Sequence, residues 1–260
     1  MSADGDKALA ADGRPKSDRL DVALVGRGLV VSRSRARDLI RRGEVAVDGI
    51  VAVRPAQLVE AGHRLALVQG SDKWVSRGAL KLEAALDKLA INVTGGVGLD
   101  IGAATGGFTQ ILLQAGARKV YAVENGHGQL ALALQSDRCV VSLEHTDARA
   151  LTSVHIPEPI DVIVVDVSFI SLLKVLPSVL PFAGPGCRLV ALVKPQFEAE
   201  PGAVSKKGVM RDEKVRARVI SRVEAWLAAQ PGWRVIGTLP SPIKGGSGNI
   251  EHLIGATYDG

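Results

Sequence analysis

Seven short apolar runs follow residue 76, and most of them are separated by segments whose apolar residues have helical spacing. Strands that alternate with helices in this way are typical of a doubly wound, mostly parallel sheet. The pattern therefore predicts an α/β, Rossmann-like domain with a seven-stranded sheet over residues 76–260. A helix with apolar residues Leu80, Ala84, Leu86 and Leu89 leads into it. The runs are VGLDIG, KVYAVEN, CVVSLEH, IDVIVVDVSF, CRLVALV, WRVIGTLP and HLIGATY.

A different pattern fills residues 18–68, where two short helical segments come first. The second segment has Ala36, Leu39 and Ile40 on one side, which we expect to be buried. Start and stop signals bound the two helices: an N-cap at Asp18, a stop at Gly28, an N-cap at Ser32 or Ser34, and a stop at Gly43.

Strand signals follow these helices. EVAVDGIVAV predicts two strands joined by a type I′ turn at Asp48-Gly49, and HRLALV predicts a third strand. We therefore expect a small α+β domain over 18–68, preceded by a disordered tail over 1–17 and followed by a linker over 69–75.

Composition narrows the class of protein. The chain has 260 residues, of which 47% are hydrophobic and only 3% aromatic, so its cores must consist of Val, Leu, Ile and Ala. Two cysteines, Cys139 and Cys187, are too few for a disulfide framework, and no metal-ligand spacing is present. No apolar stretch has the length of a signal peptide or a membrane span. The sequence predicts a soluble cytoplasmic protein without a metal, and a monomer is favoured.

Charge is concentrated in one window. The whole chain has a net charge of +5. Residues 27–42 hold six arginines and a single acid, Asp38, and so account for this excess, because basic and acidic residues balance over the remaining positions. Such a window is typical of a surface that binds a polyanion, and the resemblance described below implies that this polyanion is RNA. A second basic run, from Lys206 to Arg222, fits a further RNA contact or an ordinary amphipathic helix. The six candidate RNA-binding residues are Arg27, Arg33, Arg35, Arg37, Arg41 and Arg42.

A glycine-rich segment at the end of the first apolar run is the sharpest chemical signal. It lacks the GxGxxG spacing of nicotinamide-dependent oxidoreductases, and the acid Asp100 would repel a pyrophosphate. A ligand with a cationic end, such as S-adenosylmethionine, fits better. Glu124 ends the second run, where an acid can bind ribose hydroxyls, and Asp147 follows the third, near the expected adenine. The candidate cofactor-binding residues are Asp100, Gly102, Ala103, Thr105, Gly106, Gly107, Phe108, Thr109, Glu124, Asp147 and Asp166.

Two further charged residues stand at the ends of the fourth and fifth runs. Asp166 and Lys194 should project from neighbouring central strands into one cleft, because parallel strands end at the same edge of a sheet. A lysine in such a cleft can act as a base toward a hydroxyl group.

Lys81, Asp166, Lys194 and Glu251, in that order, resemble the catalytic tetrad of the FtsJ/RrmJ-type ribose 2′-O-methyltransferases. The segments SRGALKLEAAL, DIGAATGGFT, VDVSFISL and LVKPQFE strengthen the resemblance. The segment LVGRGLVVSRSRARDLIRRGEVAVDG is similar to the alpha-L RNA-binding fold. Together the two parts resemble the TlyA family over residues 18–258.

This resemblance implies a class I methyltransferase fold and transfer of a methyl group from S-adenosylmethionine to the ribose 2′-hydroxyl of cytidine in ribosomal RNA. It also implies an influence on sensitivity to capreomycin-type antibiotics, and ribosomal subunits as partners. Lys194 would orient and deprotonate the hydroxyl, Asp166 would fix Lys194, and Lys81 and Glu251 would complete the charge network.

Two positions depart from the family pattern, since Glu124 stands where Asp is expected and Asp147 where Asn is expected. Two other functions stay open. Relatives carry the name haemolysin, but the chain has no spanning segment and its charge-rich helices lack the broad apolar face of a membrane-active protein. A non-catalytic RNA-binding or ribosome-assembly protein is the other alternative, and the intact tetrad argues against it.

Overall fold

The computed structural model describes most of the chain in two compact units, Met1–Lys73 and Trp74–Gly260. The side chains at 34, 38 and 41 are outside the description. The described residues are 17–30, 32–41, 44–52, 54–67, 74–200, 202–205, 208–245 and 248–260.

The first unit combines two helices with five short strands. Strands β1 and β4 form an antiparallel pair, and β3-β2-β5 form a three-stranded antiparallel sheet. Its core contains Leu20, Leu24 and Ile40, all fully buried. The elements are β1 (Ser17–Arg19), α1 (Leu20–Gly26), α2 (Arg33–Arg41), β2 (Val45–Val47), β3 (Ile50–Val51), β4 (Leu58–Glu60) and β5 (Leu65–Leu67).

Several local predictions for this unit are confirmed. Ala36, Leu39 and Ile40 are buried, as the spacing in the second helix indicates. The turn between β2 and β3 has positive φ at both Asp48 and Gly49, as a type I′ turn requires.

The predicted start of the first helix is wrong. Asp18 lies in β1, where it pairs with Val59, and α1 begins at Leu20. Sequence signals for capping did not reveal this strand because three residues are too few to show alternation. Of the two predicted caps of α2, Ser32 takes the role: its Oγ accepts a hydrogen bond of 3.2 Å from the amide of Arg35. The predicted stop at Gly43 is outside the described residues.

The second unit is a seven-stranded sheet covered by helices on both faces. Strand order is β11-β12-β10-β9-β6-β7-β8, with β12 antiparallel to both of its neighbours and parallel pairing from β10 through β8. The strands are β6 (Val97–Ile101), β7 (Lys119–Val123), β8 (Val140–Leu143), β9 (Ile160–Val165), β10 (Ala183–Val193), β11 (Trp233–Pro240) and β12 (His252–Tyr258). Each of the seven apolar runs contains one strand, so the predicted fold class is confirmed.

Helices α3 to α8 connect or flank these strands. They are α3 (Gly78–Lys88), α4 (Gly107–Gln114), α5 (Leu132–Gln135), α6 (Leu172–Val179), α7 (Pro195–Glu198) and α8 (Glu213–Ala228). Short 3₁₀ helices lie at Ala148–Ala150 and Leu180–Phe182. No helix in the described ranges has both the length and the apolar composition needed to cross a membrane.

Alternate residues of the central strands enter two separate cores. In β9, Ile163 and Val165 belong to one core, and Val162 and Val164 belong to the other. Because both faces are buried, these strands consist of continuous apolar runs, which made them visible in the sequence.

The structure shows which faces of helices α3 and α8 are buried. In α3 the buried face contains Ala79, Leu82 and Ala85, whereas Leu80 and Ala84 are only partly buried. In α8, Val219, Val223 and Leu227 pack on the sheet, so the later part of the second basic run is an amphipathic helix. Lys206 and Lys207 are outside the described residues.

Candidate active site

Strand ends bring the predicted catalytic residues to one edge of the sheet. Asp166 follows β9 and Lys194 follows β10, and these strands are parallel neighbours. Lys194 Nζ lies 2.6 Å from Asp166 Oδ1 and donates a 2.8 Å hydrogen bond to Ser168 Oγ. Lys194 is buried at 9% exposure, so little water competes with these contacts. The cleft therefore holds an oriented ammonium group.

A second ion pair joins distant parts of the chain. Lys81 on α3 donates a 2.6 Å hydrogen bond to Glu251 Oε2, and both side chains are buried. Gly245 lies against this carboxylate, since a Cβ added there would be 2.2 Å from Glu251 Oε1. The pair is thus enclosed by protein.

The two ion pairs lie at the same end of the sheet. Strands β10 and β12 pair Val193 with His252, so the next step of that register brings Lys194 opposite Glu251. The start of α3 approaches the same place, because a Cβ added at Gly78 would lie 3.9 Å from Asp166 Oδ2. The four residues of the predicted tetrad therefore form two ion pairs at this end of the sheet.

The glycine-rich loop lies directly over the end of β9. Gly102 has φ +82°, and a Cβ on it would be 2.5 Å from the backbone carbonyl oxygen of Asp166. Gly106 has φ +93° and leaves room for Leu134. Only glycine fits at these two positions, because side chains there would meet both strain and collision.

Asp100 lies beneath this loop, wholly buried. Its Oδ2 accepts a 2.6 Å hydrogen bond from Thr109 Oγ1, and its Oδ1 has no hydrogen-bond partner among the described residues. Burial, and to a smaller extent the nearby charges of Asp166 and Glu124, raise the pKa of Asp100 to about 7 against the opposing hydrogen bonds from Thr109. Acidic groups thus crowd this end of the sheet.

A cavity of about 570 Å³ opens beside the loop. Four predicted cofactor residues line it, namely Gly102, Glu124, Asp147 and Asp166. Phe108 and Ala103 are buried in the cores, and Gly107 lies against Ser76. Thr105 accepts a backbone hydrogen bond from Ala131. These four residues are therefore not among those that line the cavity.

Glu124 and Asp147, the two acids that depart from the expected family pattern, have different surroundings. Glu124 accepts hydrogen bonds from the amides of Ala104 at 3.0 Å and Gly126 at 2.7 Å, so it ties the loop to the end of β7. Asp147 forms an ion pair with Arg149 at 2.6 Å, and this pair lowers the pKa of Asp147. Arg149 also lines the cavity. A ligand that bound Asp147 would share it with Arg149.

Sequence reasoning missed several residues of the site. Ser168 contacts Lys194, and Phe169 is 90% exposed at the rim with φ +63°. Gly245 and Ser76 pack against Glu251 and Gly107. The segment VDVSFISL drew attention to the first two, but only the geometry shows their contacts.

A buried anion that precedes the arginine window pairs with two of the window's arginines. Asp21 is fully buried, and it accepts hydrogen bonds from Arg19 at 2.9 Å and Arg37 at 2.8 Å and pairs with Arg33 at 3.4 Å. Arg19 and the other cations hold the pKa of Asp21 well below its usual range, despite burial.

The other predicted arginines behave differently. Arg27 donates hydrogen bonds to the backbone carbonyls of Glu60 and His63. Arg35 is on α2. The side chain of Arg41, and Arg42 as a whole, are outside the description. We call Arg19, Arg33, Arg37 and Asp21 the arginine cluster.

The cavity fits S-adenosylmethionine by its charge. The carboxylates Glu124, Asp147 and Asp166 line it, and Asp100 lies below it with an unpartnered oxygen. Asp147 and Asp166 are already paired with Arg149 and Lys194, so a ligand with a cationic sulfonium and amino group would chiefly favour Glu124 and Asp100, whereas a pyrophosphate would be repelled by them. In the described part of the chain, no cluster of three His, Cys, Asp or Glu side chains could hold a metal ion.

Comparison with known proteins covers both units. Residues 74–258 match the FtsJ-like methyltransferase family, and residues 18–65 match the S4 domain. The 16S/23S rRNA (cytidine-2'-O)-methyltransferase TlyA of Mycobacterium tuberculosis is 47% identical over 237 residues, which cover 91% of this chain and 88% of that protein.

Proteins with a different name match over the same length. Hemolysin A of Brachyspira hyodysenteriae is 41% identical over 236 residues, covering 90% of this chain and 98% of its own. The solved structure of a hemolysin-named protein from Streptococcus thermophilus has a TM-score of 0.74 at 37% identity and covers 94% of this chain and 89% of that one.

Proposed function

The chain belongs to the FtsJ-like methyltransferase family, and from this premise we propose that it methylates the ribose 2′-hydroxyl of cytidine in ribosomal RNA with S-adenosylmethionine as methyl donor. The observation that carries the proposal is the oriented ammonium of Lys194 at the end of β10. Both its partners, Asp166 and Ser168, lie on the segment that follows β9.

Lys194 positions the hydroxyl and takes its proton. Ser168 Oγ accepts one N–H of the ammonium, and the carboxylate of Asp166 forms an ion pair with it. Another N–H can reach the ribose oxygen and hold it in line for attack. Loss of one ammonium proton to solvent gives Nζ the lone pair that accepts the hydroxyl proton as the new C–O bond forms, and Asp166 stabilises the ammonium that results.

The residues that would hold the methyl donor are those that line the cavity of about 570 Å³ beside the glycine-rich loop. When bound, S-adenosylmethionine supplies a methyl group attached to a sulfonium. The sulfur-containing remainder of the molecule is the leaving group, a neutral thioether. Gly102 would give the methyl donor close access to the backbone, Glu124 would offer carboxylate oxygens to its ribose hydroxyls, and Asp147 would lie toward its adenine, since all three residues line this cavity. Lys81 and Glu251 are positioning residues that keep α3 fixed to β12 behind Lys194.

RNA binding is supported by the first unit. Its match to the S4 domain and the three half-exposed arginines around Asp21 indicate a surface for phosphates. The exposed Phe169 offers an aromatic face beside the cleft. The relative from M. tuberculosis is named for 16S and 23S rRNA, so ribosomal subunits are the substrates to test. An effect on capreomycin-type sensitivity and a cytoplasmic, monomeric protein belong to the same proposal.

The decisive experiment transfers tritiated methyl groups from S-adenosylmethionine to purified small and large ribosomal subunits. Wild type and Lys194→Ala are compared, followed by nucleoside analysis for 2′-O-methylcytidine. We expect Lys194→Ala to lower the rate by a factor of about 10² to 10⁴, with the cofactor dissociation constant unchanged. Lys88→Ala, at the exposed end of α3, is the matched control. Absence of label on both subunits with folded wild type would contradict the proposal.

A further inference from the structure

A second cavity of about 500 Å³ adjoins the candidate active site. It lies between the segment that follows β9 and helix α7, and the proposed methyl transfer leaves it unused. Phe169 and Arg149 line both cavities, so the two share a wall. Lys174, Gln196 and Phe197 line only the second one.

The walls of this second cavity are fixed to each other by Glu198. This residue is buried and accepts 2.6 Å hydrogen bonds from Ser171 Oγ and from the amide of Leu172. The bonds join α7 to the start of α6. The second cavity is therefore preorganised, which reduces the cost of binding a ligand there.

Gln196 presents an unused acceptor. Its Oε1 is buried and has no hydrogen-bond partner in the part of the chain that the structure describes. Buried polar atoms are nearly always paired in folded proteins, because an unpaired one costs free energy. A donor from a ligand would satisfy this oxygen. Gln196 follows Lys194 by two residues, so the second cavity is lined by the same segment that carries the proposed base.

The other lining groups suit a nucleotide. The rings of Phe197 and Phe169 have centroids 4.9 Å apart and are tilted by 46°, which gives the cavity an aromatic wall. Aromatic side chains bind unstacked bases in this way. Lys174 is exposed, and within the described ranges its side chain forms no ion pair or hydrogen bond, although its amide donates one to the carbonyl of Ser171. It can therefore neutralise a phosphate.

We propose that the second cavity binds one unstacked base of the RNA substrate, with Phe197 as its stacking surface and Gln196 Oε1 as the acceptor for its exocyclic amino group. The inference rests on the proposed function, since the RNA must first be the substrate. Cytosine, adenine and guanine carry such an amino group, and uracil does not. The base belongs to the methylated nucleotide or to an immediate neighbour, and both share this chemistry.

The test measures whether Gln196 and the amino group depend on each other. Methyl transfer rates, as kcat/KM, are determined on the subunit that wild type labels, with native RNA and with uridine at the methylated position or at either neighbour. The variants are Gln196→Leu and Gln196→Met. Gln114→Leu, the same change on the exposed end of α4, is the control. Cofactor dissociation constants verify that each variant has an intact methyl-donor site.

We expect Gln196→Leu to lower kcat/KM on native RNA about 10-fold. Uridine at one of the three tested positions should lower the wild-type kcat/KM similarly. Gln196→Leu combined with uridine at that position should lower kcat/KM no more than either change alone. The position at which this happens identifies the base. Phe197→Leu should also lower kcat/KM, independently of the amino group.

Three results would overturn the inference: wild-type rates for both Gln196 variants, a Phe197→Leu variant as active as wild type, or effects of Gln196 and uridine that multiply at every position. A variant without cofactor binding is replaced in the comparison by the other Gln196 variant and by Phe197→Leu. If wild type labels neither subunit, the proposed function itself fails, which is a separate outcome.

Discussion

Lys81 and Lys194 both end on a carboxylate, but water reaches the two pairs to different extents. The side chains of Lys81 and Glu251 are 9% and 3% exposed, whereas Asp166 is 20% exposed at the cleft. The Lys81–Glu251 pair is closed off from solvent and cannot contact a substrate, whereas the more open Asp166–Lys194 pair can. The pair of Asp166 and Lys194 is thus the one that a substrate could reach.

Gly245→Ala tests the closed pair. The added Cβ would lie 2.2 Å from Glu251 Oε1, so the carboxylate must move and its bond to Lys81 must loosen. We expect kcat to fall roughly 10-fold, since a displacement of about 1 Å can cost more than that, with cofactor affinity unchanged.

Gly62→Ala is the control for this variant because a Cβ there has no neighbour within 4 Å. Steady-state kinetics decide the matter. Equal kcat for Gly245→Ala and wild type would mean that Glu251 does not support catalysis through Lys81.

Asp100 predicts a pH dependence of cofactor binding. Its pKa of about 7 means that it is largely protonated below neutrality. A cationic ligand favours the ionised form, so affinity for S-adenosylmethionine should rise from about pH 5.5 to 7, by up to roughly tenfold per pH unit. Calorimetry of wild type and Asp100→Asn measures it, and a steep rise that persists in Asp100→Asn would assign it to another group.

The same residue predicts the opposite sign for stability. Because its folded-state pKa lies above the unfolded value of 3.8, the unfolded chain ionises first as pH rises. Stability of the cofactor-free protein should therefore fall between about pH 4 and 7, and Asp100→Asn should remove that fall. Thermal unfolding across this range is the measurement, and identical curves for the two proteins would contradict it.

At the element scale, strands were easier to predict than helix faces. Central strands such as β9 are buried on both sides and form unbroken apolar runs. In α3, however, Lys81 belongs to the buried face, because Glu251 neutralises it. A hydrophobicity pattern counts every lysine as exposed, so it predicts the wrong buried face for α3. The residue that allows Lys81 to be buried, Glu251, lies 170 residues away in the sequence.

Helices α1 and α2 are joined by the arginine cluster, which predicts sensitivity to acid. The lowered pKa of Asp21 means that the folded unit keeps the carboxylate ionised where the unfolded chain, with a value of 3.8, takes up a proton. Its stabilisation is present above about pH 4 and is lost as pH falls below that.

Asp21→Asn tests this cluster. We expect a loss of about 1 kcal/mol at pH 7, a modest value because water screens the half-exposed arginines. Affinity for RNA should also fall, since Arg33 and Arg37 lose their anchor. Differential scanning calorimetry and filter binding measure the two effects. Unchanged stability and RNA affinity at pH 7 would show that the arginines are placed by other contacts.

For the whole molecule, the sequence predicted the family and the α/β class, and both are confirmed. It could not show which charged residues meet, because register and burial depend on packing between distant segments. Thus the tetrad followed from motif order, whereas Ser168 and Gly245 did not.

The two units have separate cores, which predicts separable binding. A chain that begins at Trp74 should fold and bind S-adenosylmethionine as the full chain does. It should bind ribosomal RNA more weakly and with a smaller salt dependence, because the arginine cluster is missing. Binding titrations at several salt concentrations measure this. An unchanged salt slope would place the phosphate contacts in the second unit.

Strand β12 is the last strand in the chain, yet it lies between β11 and β10 in the sheet. Until residues 252–258 have been synthesised, β11 therefore has no neighbour through which it can join the rest of the sheet. Glu251 immediately precedes that joining strand. A chain truncated before Glu251 thus lacks both a complete sheet and the carboxylate that pairs with Lys81.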